Sequence, residues 1–68
     1  MKANQRIAAN LRHIRKKKGI SQERAAEMVG MALRYYAMIE SKNPRQIRVS
    51  TLEKIALGLK VPIEKLLK

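Results

Sequence analysis

Apolar residues recur along this chain at helical intervals, in five separate stretches. From about Gln5 to Lys18 they fall at Ile7, Leu11 and Ile14, the i, i+4, i+7 spacing of one helix face, with Arg6, Arg12, Arg15 and Lys16 on the others. Lys16, Lys17 and Lys18 gather where cations complement the helix dipole, and Gly19 caps the end with Ile20 folding back beneath it. Ser21 is suited to cap a second helix over about Gln22 to Val29, with its hydroxyl on an amide near Glu23 or Arg24. The inward face of that helix is small, Ala25, Ala26 and Val29, and Gly30 supplies the left-handed residue that ends it. A third helix begins near Ala32 or Leu33 and runs to Glu40 or Ser41. Tyr36 and Ile39 are its buried pair, joined by Met31 from the turn, so that Leu33, Arg34, Ala37 and Met38 point outward.

Residues 42–46 read as a turn, because Pro44 disfavours helix at the residue before it. Helical spacing resumes at Val49, Leu52, Ile55, Ala56 and Leu59, and Ser50 to Glu53 matches a capping box, the alternative being that Val49 already lies inside the helix; a start between 49 and 51 is expected. Lys60 and Val61 make the next turn. Pro62 suits a first helical position, and Ile63, Leu66 and Leu67 form the apolar side of a last short helix. Five helices with no strand pattern or repeat predict one all-α domain over residues 1–68.

Composition narrows the ways such a small domain can be stabilised and what it can bind. The chain has no cysteine and one histidine, so neither a disulfide nor a protein zinc site is available. Packing must suffice. Sixteen Lys and Arg against five acidic residues give a net charge of +11, a density that calls for a polyanion, nucleic acid first and an anionic membrane second. No apolar run approaches the roughly 18 residues of a membrane span, and no signal peptide follows Met1, so a cytoplasmic location is expected. Catalysis has little to work with: His13 stands among cations, the glutamates are scattered, and Ser21, Ser41 and Ser50 read as helix-end residues. No glycine-rich phosphate loop occurs, and no enzyme activity, cofactor or metal is expected. His13 reads as a surface residue, with a phosphate contact as its second reading. The triple lysine fits either a solvated helix end or a phosphate contact.

From Gly19 to Glu40 the elements are a helix, a tight glycine turn and a second helix, which on so basic a chain suggest a surface fitted to the DNA major groove. The run from Leu11 to Gly30, followed by Ile39-Glu40 and then by Leu52 to Pro62, resembles the lambda-repressor-like, Cro/Xre class of bacterial and phage helix-turn-helix proteins. The resemblance covers nearly the whole chain. It implies a compact bundle whose third helix lies in the major groove with its early residues at the base edges. By that resemblance Leu33, Arg34, Ala37 and Met38 contact bases. Arg34 can donate two hydrogen bonds to guanine or clamp a phosphate, whereas Leu33 and Met38 offer only apolar contacts such as a thymine methyl. The alternative for Leu33 and Met38 is extra core or dimer packing. The resemblance places Arg12, Ser21, Gln22, Ser41, Lys42, Asn43 and Arg45 on DNA phosphates, and pairs Arg15 with Glu40 to tie helix 1 to the end of helix 3.

The chain departs from the family pattern at Ala32, where a Ser or Thr cap is usual, at Lys42, where glycine commonly ends helix 3, and in a loop before helix 4 one residue longer. Ala25 stands where a large aliphatic is common, so Tyr36 or Met31 is expected to fill that part of the core. Relatives usually bind as two-fold dimers. Leu57, off the buried stripe, with Ile63 and Leu67, forms a candidate dimer contact; the alternative is an isolated exposed leucine. The expected partner is double-stranded DNA, and the expected role is a repressor or a phage- or restriction-linked controller on a palindromic operator. If the chain is complete, regulation comes from concentration and dimerisation. Rival readings are an antitoxin with a toxin partner, a sequence-blind nucleic-acid coater and a membrane-surface peptide.

Overall fold

In a computed structural model, which describes residues 3–41 and 46–68, the local signals of the sequence convert into five helices and no strand. Helix α1 spans Ala3–Lys17, beginning two residues before the expected start at Gln5. It ends through Gly19 at φ 70°, whose N–H donates to the Lys16 carbonyl at 3.0 Å while that of Ile20 reaches back to Arg15 at 3.3 Å. Ile20 thereby tucks its side chain against the core, as expected. Helix α2, Gln22–Val29, starts from Ser21, whose hydroxyl accepts from the Arg24 N–H at 3.0 Å. Gly30 at φ 79° and Met31 both donate to the Ala26 carbonyl, at 2.8 and 3.0 Å, and this tight reversal sets the angle at which the chain enters α3, Leu33–Ile39. Ala32 gives α3 no side-chain cap, so its first amides stay available to solvent or a ligand.

Helix α4 spans Val49–Leu59 and α5 spans Glu64–Leu67. Two expectations fail at the start of α4. The residue before it is Arg48, with no side-chain cap, so Ser50 and Glu53 lie inside the helix and no capping box forms. Val49 is 67% exposed, and Ile47 from the preceding segment is buried instead. The pattern gave Val49 the right phase, but the first helical residue projects past the end of the core. Pro62 likewise stands two residues ahead of α5, where its carbonyl accepts from Lys65 N–H at 3.0 Å in a turn. Four residues cannot hold a helix alone. Wholly buried Leu66 and the Asn10 amide, which donates to the Leu66 carbonyl at 2.9 Å, fasten α5 to α1.

The helices pack as α2 against α3 and α4, and α1 against α5. Leu11, Tyr36, Ile39, Ile55, Leu59 and Leu66 are fully enclosed, each side chain contributing on the order of 1.5–3 kcal/mol by leaving water. Tyr36 rather than Met31 supplies the bulk missing at Ala25, since Tyr36 is wholly buried in the same cluster while Met31 is partly exposed. The α2–α4 contact depends on Gly58. A Cβ there would stand 2.7 Å from the Met28 carbonyl oxygen and 2.8 Å from the Val29 Cα, both backbone atoms that cannot swing aside. Gly58→Ala should therefore destabilise the fold by about 1–3 kcal/mol, even though alanine is the better helix former by about 1 kcal/mol. Urea unfolding monitored by circular dichroism would measure the net effect; a gain in stability would mean that α2 and α4 are not held this close.

Candidate nucleic-acid interface

The helix-turn-helix converges on one buried carboxylate. Glu40 follows α3 directly and is 2% exposed. Its Oε2 accepts from Arg15 Nε of α1 at 2.8 Å, and its Oε1 accepts from Gln22 Nε2 at the start of α2 at 3.2 Å. Arg15 also donates through a terminal nitrogen to the Ile20 carbonyl at 2.9 Å, while Arg12 donates to the Glu40 backbone carbonyl. A carboxylate only accepts, so the Gln22 amide must present its NH2 group to Glu40, which fixes its orientation. One residue thus locks α1, the α2 N-terminus and the α3 C-terminus together, and Arg12 places a cation on the negative end of α3. The pair expected from Arg15 and Glu40 is present; its extension to Gln22 was not anticipated.

Burial alone would push the Glu40 carboxyl up, but the hydrogen bonds from Arg15 and Gln22, with the nearby Tyr36 hydroxyl, outweigh it and hold the group below its ordinary value. The Glu40 hydrogen bond in turn raises Arg15, which stays charged. Burial first, and then Glu40, keep the Tyr36 phenol well above its usual range, so it remains neutral. Although it lies beside this carboxylate, the Tyr36 hydroxyl is buried without a partner at hydrogen-bonding geometry.

Around this lock lie the residues singled out in the sequence. Ser21 is exposed and Gln22 half-buried, and both stand at the N-terminus of α2, a helix end suited to an anion. On α3, Arg34 and Leu33 are exposed, whereas Ala37 is half-buried and Met38 packs partly against the core. The outward face is therefore narrower than the helical spacing implied. Tyr35, which the sequence reading left unassigned, is exposed, and with Ala32, Arg34, Met38 and Gln46 it lines a concavity of about 400 Å³. The helical phase carried that signal, since Tyr35 flanks the opposite edge of the helix from Leu33. Ser41 turns its hydroxyl onto the Met38 carbonyl at 2.6 Å. Lys42, Asn43 and Arg45 lie outside the described residues. Of the dimer candidates, Leu57 is 81% exposed, Leu67 is about half exposed, and Ile63 is partly buried against the core.

Because Glu40 binds its proton less readily folded than unfolded, protonation favours the unfolded chain. Its contribution should be complete above the ordinary glutamate value of 4.5 and be lost as pH falls through the lower folded-state value. Thermal melts of the protein and of Glu40→Gln should differ most near neutrality and converge in acid. A difference constant with pH would show that the charge of Glu40 contributes nothing to the lock.

Comparison with known proteins agrees with this geometry. Residues 11–66 match a helix-turn-helix family. A hypothetical transcription factor from Neisseria has a similar structure, with 34% identity, a TM-score of 0.89, and 98% of this chain and 76% of the other aligned. The restriction-modification controller protein C.AhdI from Aeromonas hydrophila is similar at 27% identity and a TM-score of 0.84, with 93% and 94% of the two chains aligned. A search of curated proteins gave no match. The two helices locked through Glu40, the family match over most of the chain and these two structures place the protein in the Cro/C1-type helix-turn-helix family of DNA-binding transcription regulators.

Proposed function

We propose that the chain is a sequence-specific regulator that binds a palindromic operator in double-stranded DNA as a homodimer, acting in the cytoplasm as a repressor or as a phage- or restriction-linked controller. The observation that carries the reading is the rigid placement of the α2 N-terminus beside the exposed face of α3, through the bonds Glu40 makes to Arg15 and Gln22. Arg34 and Leu33, with Ala37 and Met38 behind them, meet base edges, and one arginine among apolar neighbours favours a guanine next to thymine methyl groups. Ser21, Gln22 and Arg12 take phosphates together with Ser41 and the adjoining Lys42, Asn43 and Arg45, fixing register. Size supports the dimer. Cα atoms extend over 28 × 23 × 21 Å, less than the roughly 34 Å between successive major-groove faces on one side of the duplex. One copy reads one half-site, and Leu57 and Leu67, helped by Ile63, are the apolar side chains suited to hold a second copy. The similarity to a restriction-modification controller supports the controller role over a sequence-blind coater.

Selection from a random duplex pool at fixed ionic strength should enrich a short palindrome; recovery of random sequence would overturn the reading. On the selected site, Arg34→Ala should cost about 1–3 kcal/mol and relax preference at one base position, while Gln22→Ala weakens all duplexes alike. Uniform loss for Arg34→Ala would assign it to a phosphate.

A further inference from the structure

The two flanks of α1 do different things. Arg12 and Arg15 turn toward Glu40 and the helix-turn-helix, whereas Asn10 turns toward α5, where its amide holds the Leu66 carbonyl. His13 and Lys17, three and seven residues after Asn10, continue along that second flank. With Ile14, Lys18, Val61 and Lys65 they line a cleft of about 320 Å³ between the end of α1 and α5. Three of its lining residues are lysines, and no acidic residue lines it. Among the described residues none of Lys17, Lys18 and Lys65 is in an ion pair, since the two pairs present use Arg15 with Glu40 and Arg24 with Glu27. Its apolar parts are Ile14 and Val61, both partly buried against the core and so fixed in place. Three exposed lysines on one apolar floor with no acidic neighbour in the lining make a local positive field that attracts an anion, and the volume is at the lower end of that of small-molecule sites.

We propose that this cleft binds a small organic phosphate, with the phosphate among Lys17, Lys18 and Lys65, His13 as a further nitrogen contact, and the organic part resting on Ile14 and Val61. The site lies on the opposite flank of α1 from the Glu40 lock, so it is separate from the DNA surface. A ligand there bridges α1 to α5, the short helix otherwise held by Leu66 and one side-chain hydrogen bond. It gives a use to Lys17, Lys18 and His13, which the helix-turn-helix does not use. The inference stands without the operator reading.

The probe is ATP, with AMP and inorganic phosphate as shorter arms, titrated calorimetrically into the intact protein at 150 mM salt. One-to-one binding in the order ATP, AMP, inorganic phosphate is expected. Lys17→Ala/Lys65→Ala should weaken ATP about tenfold or more. The control, Arg48→Ala/Lys54→Ala, removes the same charge from residues that do not line the cleft and should leave ATP binding unchanged. Retained one-to-one ATP binding in the presence of saturating duplex DNA supports a separate site. Equal weakening by both double variants would reduce the effect to net charge, and displacement of ATP by duplex would make the cleft part of the DNA surface. Either result, or absence of ATP binding, overturns the proposal without touching the DNA-binding reading.

Discussion

The Arg15–Glu40 ion pair is the constraint on which the arrangement of the helix-turn-helix depends. A two-helix unit of eight and seven residues has too little buried surface to fix its own geometry, and α3 lacks a side-chain cap at its start. Glu40 compensates at the other end. By accepting from Arg15 and Gln22 through its carboxylate and from Arg12 through its carbonyl, it ties three chain segments to one point. A carboxylate so deeply buried is tolerated only because each oxygen is satisfied; removing one partner of such a pair typically costs about 3–5 kcal/mol. That is a large share of the roughly 5–15 kcal/mol by which domains are stable.

The remaining stability comes from an economical core in a chain that carries +11 and no covalent staple. Gly58 on α4 lets α2 come close, and one large side chain, Tyr36 of α3, adds bulk to a core to which α2 contributes only small residues. The arrangement leaves the cations outside and lets apolar residues remain exposed at Leu57, Leu67, Leu33 and Tyr35. The proposed base contacts and the proposed dimer rest on these exposed apolar groups.

Most of the fold was legible in the sequence because its signals are local. Gly19, Ser21 and Gly30 act through backbone geometry that residue type alone dictates, and Leu11, Tyr36, Ile39 and Leu59 follow from helical phase. What escaped depended on where the core ends. Val49 has the phase of a buried residue but not its location, Ile47 is buried without belonging to any helix, and Asn10 matters only because α5 packs over it. In the site, the Arg15–Glu40 pair was legible from the resemblance. The Gln22 bond was not, since it requires knowing that α2 begins beside the end of α3. Gln46 was missed for the same reason, since a shared concavity is a property of packing rather than of spacing, whereas the exposure of Tyr35 was already written in the helical phase of α3.

The DNA-facing role assigned to Gln22 and the structural role of Glu40 are one mechanism if Glu40 holds the Gln22 amide in the orientation that a phosphate needs. The most direct test is a double-mutant cycle in duplex affinity among the protein, Gln22→Ala, Glu40→Gln and the double variant, with folding verified by circular dichroism. Coupling of about 0.5–3 kcal/mol is predicted, so that Gln22→Ala costs much less once Glu40 is altered. Additive losses, within about 0.5 kcal/mol, would contradict the account and leave Glu40 a purely structural residue.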